Sequence, residues 1–273
     1  MFGKGLKGLL EQWIQGRGCP HLAIIGRTGA GKTTLAKKVT LFLISKGAPS
    51  VPVQVLDFDQ EYMDLPLETV TQPFKIPSEE INLSWLLSQI NRPELGGYGI
   101  SGVFYLLEED NNLDNIIMRV KHDLTLPQTV KFAVLWRLQV IRKYFTISSD
   151  ISDPEYANVR FDLSSVLDLR ERQLVQQILA SILMFQPGYL VIEEGLIGNW
   201  LDDILALARR RKRKIVFVGQ RLPEQIQNFE VVLFTPYITN LRTFPLPLPV
   251  SPSTDKGAWW VGGLGVHRLK HLW

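Results

Sequence analysis

The chain predicts an α/β fold with a mostly parallel central sheet flanked by helices. Three observations carry this expectation. Short apolar runs recur at 21–25, 52–58, 189–192 and 215–218, and a strand that lacks polar alternation is one buried on both faces, as parallel strands are. Segments with apolar residues at helical spacing lie between them, so strands alternate with helices, the order that crossover connections produce. Finally, Gly26-Arg27-Thr28-Gly29-Ala30-Gly31-Lys32-Thr33 fills every position of the phosphate-loop pattern G-x-x-x-x-G-K-[ST] between one such strand and one such helix.

The bulk numbers set limits. A chain of 273 residues holds one large α/β domain or two small ones. Its 45% hydrophobic and 21% charged residues are the proportions of a soluble globular protein. A net charge of +3 and a pI near 8.9 admit a polyanionic partner without requiring one. Cys19 is the single cysteine, which excludes an intrachain disulfide, argues against a cysteine-based zinc site and fits a reducing compartment. No apolar run approaches the ~18–20 residues of a membrane span. Lys4 and Lys7 are followed by Glu11 and Gln12, which does not make a signal peptide. The expectation is a soluble cytoplasmic protein.

The elements follow in chain order. Residues 2–16 read as an amphipathic helix with Phe2, Leu6, Leu9, Leu10 and Trp13 on one stripe, to be packed on its own domain or docked on a neighbouring subunit. The strand at 21–25 delivers the phosphate loop, and Thr34 to Leu43 continues as a helix. A second strand ends in Asp57-Phe58-Asp59-Gln60-Glu61-Tyr62. Residues 79–91 look helical up to Pro93, Gly96, Gly97 and Gly99 mark a loop, and 102–107 reads as a strand. Helices are expected over 112–122 and 128–144, the latter starting after Pro127. Val159 to Leu163 reads as a strand, Asp168 to Phe185 as a helix, and Tyr189 to Glu194 as a buried strand tipped with carboxylates. A helix from Asn199 to Arg210 leads into the basic run Arg209 to Lys214. Strands at 215–219 and 229–234 complete the core. Four prolines at 245, 247, 249 and 252 argue for an extended tail, and the apolar stretch Trp259 to Gly265 is expected to lie against the domain or a neighbour. The resulting division is an N-terminal helical extension (1–20), a nucleotide-binding domain (21–242) and a Pro/Trp-rich tail (243–273).

The phosphate loop explains its own composition. Glycines let backbone N–H groups curl around a phosphate without a Cβ in the way, and the helix N-terminus adds partial positive charge. The expected nucleotide contacts are Gly26, Arg27, Thr28, Gly29, Ala30, Gly31, Lys32, Thr33 and Thr34. Lys32 reaches the β- and γ-phosphates of ATP, and the Thr33 hydroxyl ligates Mg²⁺. Turnover also needs a carboxylate that organises the metal and a base for the attacking water. Adjacent Glu193 and Glu194 end a buried strand, so Glu193 is assigned to Mg²⁺, directly or through water, and Glu194 to the water. Gln220 ends the next buried strand, at the carboxyl edge where open α/β sheets bind ligands, and is expected to sense the γ-phosphate. Asp57, with Asp59 and Glu61, faces the same rim as an outer carboxylate of the metal site.

Taken in order, these pieces resemble the HerA–FtsK superfamily, a branch of the RecA-like P-loop ATPases, over about His21 to Asn240. Asp57-Phe58-Asp59-Gln60-Glu61-Tyr62 is similar to the D-x-x-x-E-Y block of HerA-type proteins. Arg160-Phe161-Asp162-Leu163-Ser164-Ser165 resembles their "DLS" strand and helix, and Leu190 to Glu194 their acidic strand, with Glu for the usual Asp. Gln220-Arg221-Leu222-Pro223 is similar to the T-Q-R-P block, with Gly219 for Thr and Leu222 inserted. The resemblance implies a ring-forming, usually hexameric, ATP-driven motor on double-stranded DNA. With about 20 residues before the first strand, the N-terminal barrel of HerA proteins and the membrane spans and winged helix of FtsK types are not expected. Such a compact core looks like the genome-packaging ATPases of viruses with internal membranes, which would place it in a host cytoplasm or on a virion, with a capsid or membrane partner.

A ring motor of this kind takes an arginine from the neighbouring subunit. One of Arg209, Arg210 and Arg211 is the candidate, and Arg221 follows the sensor glutamine. The same basic run, with Lys121, Lys131, Arg137, Arg142 and Lys143 in the middle of the chain, offers sequence-independent, salt-sensitive contacts to DNA phosphates. Two other readings stand beside packaging: a conjugation or DNA-processing translocase, and a nucleotide-gated secretion or assembly ATPase that moves polypeptide.

Overall fold

The computed structural model describes residues 6–15, 21–26, 28–47, 51–77, 112–148, 158–186, 188–193, 200–220, 229–234, 259–262 and 265–268. The expected helix at 79–91, the glycine loop and the strand at 102–107 lie outside them. The chain forms two compact units: residues 1–68, 156–161 and 187–273 make the first, and 69–155 with 162–186 the second.

The first unit holds the sheet. Its strands are β1 (His21–Ile25), β2 (Val53–Asp57), β6 (Val159–Asp162), β7 (Tyr189–Glu193), β8 (Lys214–Gly219), β9 (Phe229–Phe234), β10 (Trp259–Gly262) and β11 (Gly265–Arg268). They lie in the order β11-β10-β9-β1-β8-β7-β2-β6. The run from β9 to β2 is parallel, with Ile24 opposite Val218 and Leu233, and Val55 opposite Val191. Every residue of β1, β2 and β7 is buried, which is why these strands carry no polar alternation. The mostly parallel sheet flanked by helices is thus the expected one.

Side chains alternate across a strand. Leu22, Ile24, Val53, Val55, Tyr189, Val191, Val216 and Val218 share one core cluster with Leu35, Ala36, Val39 and Leu43 of helix α2 (Lys32–Gly47) and with Leu9, Leu10 and Trp13 of helix α1 (Leu6–Gln15). The N-terminal helix is therefore part of this unit's own core. Lys214 fixes it there: its Nζ donates to the Trp13 and Ile14 carbonyls at 2.8 and 2.6 Å and lies over the Trp13 ring. These are carbonyls of the last helical turn, which the helix itself leaves without partners. Helix α6 (Trp200–Arg210), numbered after the helices of the second unit, packs against β8. The proline-rich segment 245–252 lies outside the described residues, and the apolar stretch after it lies against the domain as expected: β10 pairs antiparallel with β9, and β11 with β10.

The second unit is entered through β3 (Glu68–Val70). It contains β4 (Phe74–Pro77), helices α3 (Leu113–His122) and α4 (Gln128–Tyr144), β5 (Phe145–Ser148) and helix α5 (Leu169–Leu183). β4 and β5 form a separate two-stranded parallel sheet, with the Phe74 and Phe145 rings 5.7 Å apart. Asn112 caps α3 by accepting from the Asp114 and Asn115 N–H groups, and Asp168 caps α5 by accepting from that of Glu171. Glu171 then accepts from Lys143 at 2.8 Å and from the Tyr144 hydroxyl at 2.6 Å, joining α5 to α4.

Candidate nucleotide site

The phosphate loop runs from β1 into α2 as its sequence requires. Gly29 and Gly31 have φ of +76° and +82°, a left-handed conformation that L side chains rarely adopt, and open space lies where a Cβ would project. The Gly31 carbonyl accepts from the Leu35 N–H at 3.0 Å, starting α2. The Gly26 N–H donates to the Gly219 carbonyl at 3.1 Å, so the first loop glycine is tied to the end of β8, next to Gln220. Gln220 itself is exposed. The departure to Gly at 219 has a local cause: a Cβ there would lie 2.6 Å from the Phe217 ring. Lys32 is buried, Thr33 half-buried, and Thr28 and Thr34 are exposed.

Three acidic side chains approach the loop in different ways. The Thr33 hydroxyl lies 2.8 Å from Oε1 of Glu193 and also within a short hydrogen bond of Oε2 of Glu61. Asp57 is fully buried and faces inward instead. Its Oδ1 accepts from the Glu61 N–H at 2.9 Å, and its Oδ2 accepts from the Tyr62 N–H at 3.1 Å and from Arg160 Nη1 at 2.8 Å. Asp57 thus shapes the turn that carries Glu61, while Glu61 reaches the phosphate-loop hydroxyl. The two sequence blocks that supply Asp57 and Arg160 meet in this one buried ion pair.

Burial pushes the Glu193 carboxyl up to about 8; the Thr33 hydroxyl opposes this, and the charges of Glu61 and Asp57 add to it. Burial, with the same three carboxylates, also raises the Tyr62 phenol well above its usual range. One hydroxyl has one proton and cannot donate to two carboxylates at once. A divalent cation would satisfy both carboxylates and the hydroxyl oxygen together, and all three are the hard oxygen donors Mg²⁺ prefers. The residues therefore fit an Mg²⁺–nucleotide. Among the described residues no group of three or more His, Cys, Asp or Glu is placed to hold a metal ion.

Residues 19–97 match the family model described as the central domain of helicase HerA. This match covers the phosphate loop and the Asp57–Tyr62 block, and it makes that part of the chain similar to HerA-type P-loop ATPases. Among solved structures it is similar to VirB4 of Thermoanaerobacter pseudethanolicus, with a TM-score of 0.64 and 14% identity over 92% of this chain and 88% of that one. That likeness supports the P-loop ATPase fold. Two looser similarities are to the genome packaging NTPase B204 of Sulfolobus turreted icosahedral virus 2 in complex with ATP-gammaS (TM-score 0.36, 10% identity, 91% and 96% covered) and to the ADP conformation of MJ1267, an ABC-transporter ATP-binding cassette (0.28, 13%, 79% and 76%). No curated protein matches the chain by sequence.

The remaining candidate residues fall in three groups. Arg27, Glu194 and Arg221 lie outside the described residues. Arg209 and Arg210 are exposed on the last turn of α6, and Arg211 and Lys212 in the turn after it. Arg213 is buried, donating to Gln54, and Lys214 serves α1. In the second unit the basic residues largely have internal partners: Lys131 donates to the Asp123 carbonyl, Arg137 to that of Ala133, Arg142 pairs with Asp114 and Lys143 with Glu171. Sequence reasoning missed the role of Arg160. Its signal was a charged residue inside an otherwise apolar buried strand, which requires a counter-charge. No described helix is long and apolar enough to cross a membrane.

Proposed function

We propose that this chain hydrolyses ATP and uses the energy to move double-stranded DNA. The observation that carries the chemistry is the meeting of Thr33 with Glu193 beside the loop of Gly29 and Gly31. Lys32 binds the β- and γ-phosphates. Thr33 and Glu193 would hold Mg²⁺, which would supply charge neutralisation for the phosphates, with Asp57 supporting from behind. Glu194 takes the proton of a water whose oxygen attacks the γ-phosphorus; the bond to the bridging oxygen breaks, and ADP and phosphate leave. Gln220 orients that water and couples phosphate release to β8, whose end is bonded to the loop through Gly26 and Gly219.

In this reading subunits assemble as a hexameric ring. One of Arg209, Arg210 and Arg211, or Arg221, completes the neighbour's site. The exposed run from Arg209 to Lys212 also offers cations to DNA phosphates. The role we propose for the motor is viral genome packaging, on the resemblance of its motifs, in order from the phosphate loop to Gln220, to those of the HerA–FtsK motors.

The test is ATP turnover titrated with linear duplex DNA at low and high salt. DNA should raise turnover, and added salt should remove the increase. Glu194→Gln should abolish turnover while retaining nucleotide. Turnover that ignores DNA but responds to an unfolded polypeptide would replace DNA with protein as the cargo.

A further inference from the structure

We infer that Glu61 is a second carboxylate of the cation site and makes nucleotide binding conditional on a divalent cation. The inference rests on the nucleotide-binding reading above. Glu61 lies 28 residues from Thr33 in sequence and is exposed, yet its carboxylate accepts from the Thr33 hydroxyl. That turn is built. β2 ends at Asp57, whose two carboxylate oxygens each take one N–H of the following chain, from Glu61 and Tyr62. Arg160 holds Asp57 from β6, both side chains being buried. Gln60, just before Glu61, has φ +62°, a left-handed conformation that persists in a non-glycine residue only where surrounding contacts impose it. The Tyr62 side chain anchors the far end in the core.

Two carboxylates now face one hydroxyl beside a loop that receives phosphates. Without a cation, the exposed Glu61 carboxylate repels an incoming triphosphate. With one, Glu61 and Glu193 hold a metal or its waters against Thr33. The same residue therefore has opposite effects on the two forms of the ligand, which a merely structural residue does not. Asp57 and Arg160 are positioning residues for it.

The test uses the full chain and the affinity of ATPγS measured with Mg²⁺ and with EDTA. Wild type should bind far more tightly with Mg²⁺. Glu61→Gln should weaken binding in Mg²⁺ by about tenfold, the usual effect of removing an outer metal partner, and leave binding in EDTA equal or tighter. Glu61→Asp should recover part of the loss, and the exposed neighbour Glu68→Gln should behave as wild type. An unchanged ratio of the two affinities in Glu61→Gln overturns the inference, as does an equal loss in Mg²⁺ and EDTA. Wild type that binds no nucleotide under either condition overturns the functional reading itself.

Discussion

A methyl group at position 188 has nowhere to go. Gly188 has φ +122°, and a Cβ there would lie 2.3 Å from the Pro52 carbonyl oxygen, the atom that accepts from the Tyr189 N–H as β7 begins. Gly188→Ala should therefore cost roughly 2–4 kcal/mol, read as a lower denaturation midpoint with unchanged steepness. His21 gives a pH prediction. Its Nε2–H donates to the Leu205 carbonyl at 3.0 Å and its Nδ1 accepts from the Ile215 N–H at 3.2 Å, a pairing only the neutral ring can make. Burial, with a smaller push from Arg209 and against the Leu205 bond, lowers its pKa from 6.5 to about 4. The unfolded chain takes up the proton first, so this stability is present above pH 6.5 and is lost as pH falls toward 4, by about 3 kcal/mol in all. Denaturation at several pH values should show that slope, and His21→Gln should flatten it. The phosphate loop was legible because its residues are consecutive. The exchange of tasks between Asp57 and Glu61 was not, because both follow one strand end, and only the buried Arg160, 103 residues away, decides which turns inward.

At the scale of elements, helix α1 depends on a side chain from the opposite end of the chain. Lys214 donates to its last carbonyls, and Lys46 of α2 pairs with Glu11 at 3.3 Å. Lys214→Met keeps the stem over Trp13 but removes the donors. It should speed amide exchange in α1 several-fold while lowering global stability by only about 1 kcal/mol; equal exchange in both proteins would show that burial of Leu9, Leu10 and Trp13 suffices. The helices α2, α4 and α5 and the apolar runs of β1, β7 and β8 were legible, because each signal is local. β5 was not: Phe145–Ser148 follows α4 without a break, and its partner Phe74–Pro77 is far away in sequence. The strands of the tail were obscured for the same reason, since prolines dominate the segment before them while Trp259 pairs with Phe234.

At the scale of the whole molecule, the proposed motor needs contacts between copies. The cations offered for this are exposed at the end of α6, whereas those of the second unit mostly serve its own packing. Assembly should therefore respond to nucleotide. Sizing by light scattering should show a larger species with a non-hydrolysable ATP analogue, and Arg209, Arg210 and Arg211 replaced together by Ala should diminish it at unchanged stability. A mixture of that variant with Lys32→Ala should recover turnover if the arginine acts across the interface.

The hairpin of β10 and β11 has a practical consequence. β9 borders the strand that delivers the phosphate loop, and its other side pairs with β10, whose residues follow all those prolines. A version shortened to residue 242 would keep every phosphate-binding group yet bare a row of backbone donors and acceptors along β9. Such a rim recruits any extended chain it meets, so the trimmed protein should precipitate or swap strands, and its inactivity would wrongly be blamed on the catalytic machinery.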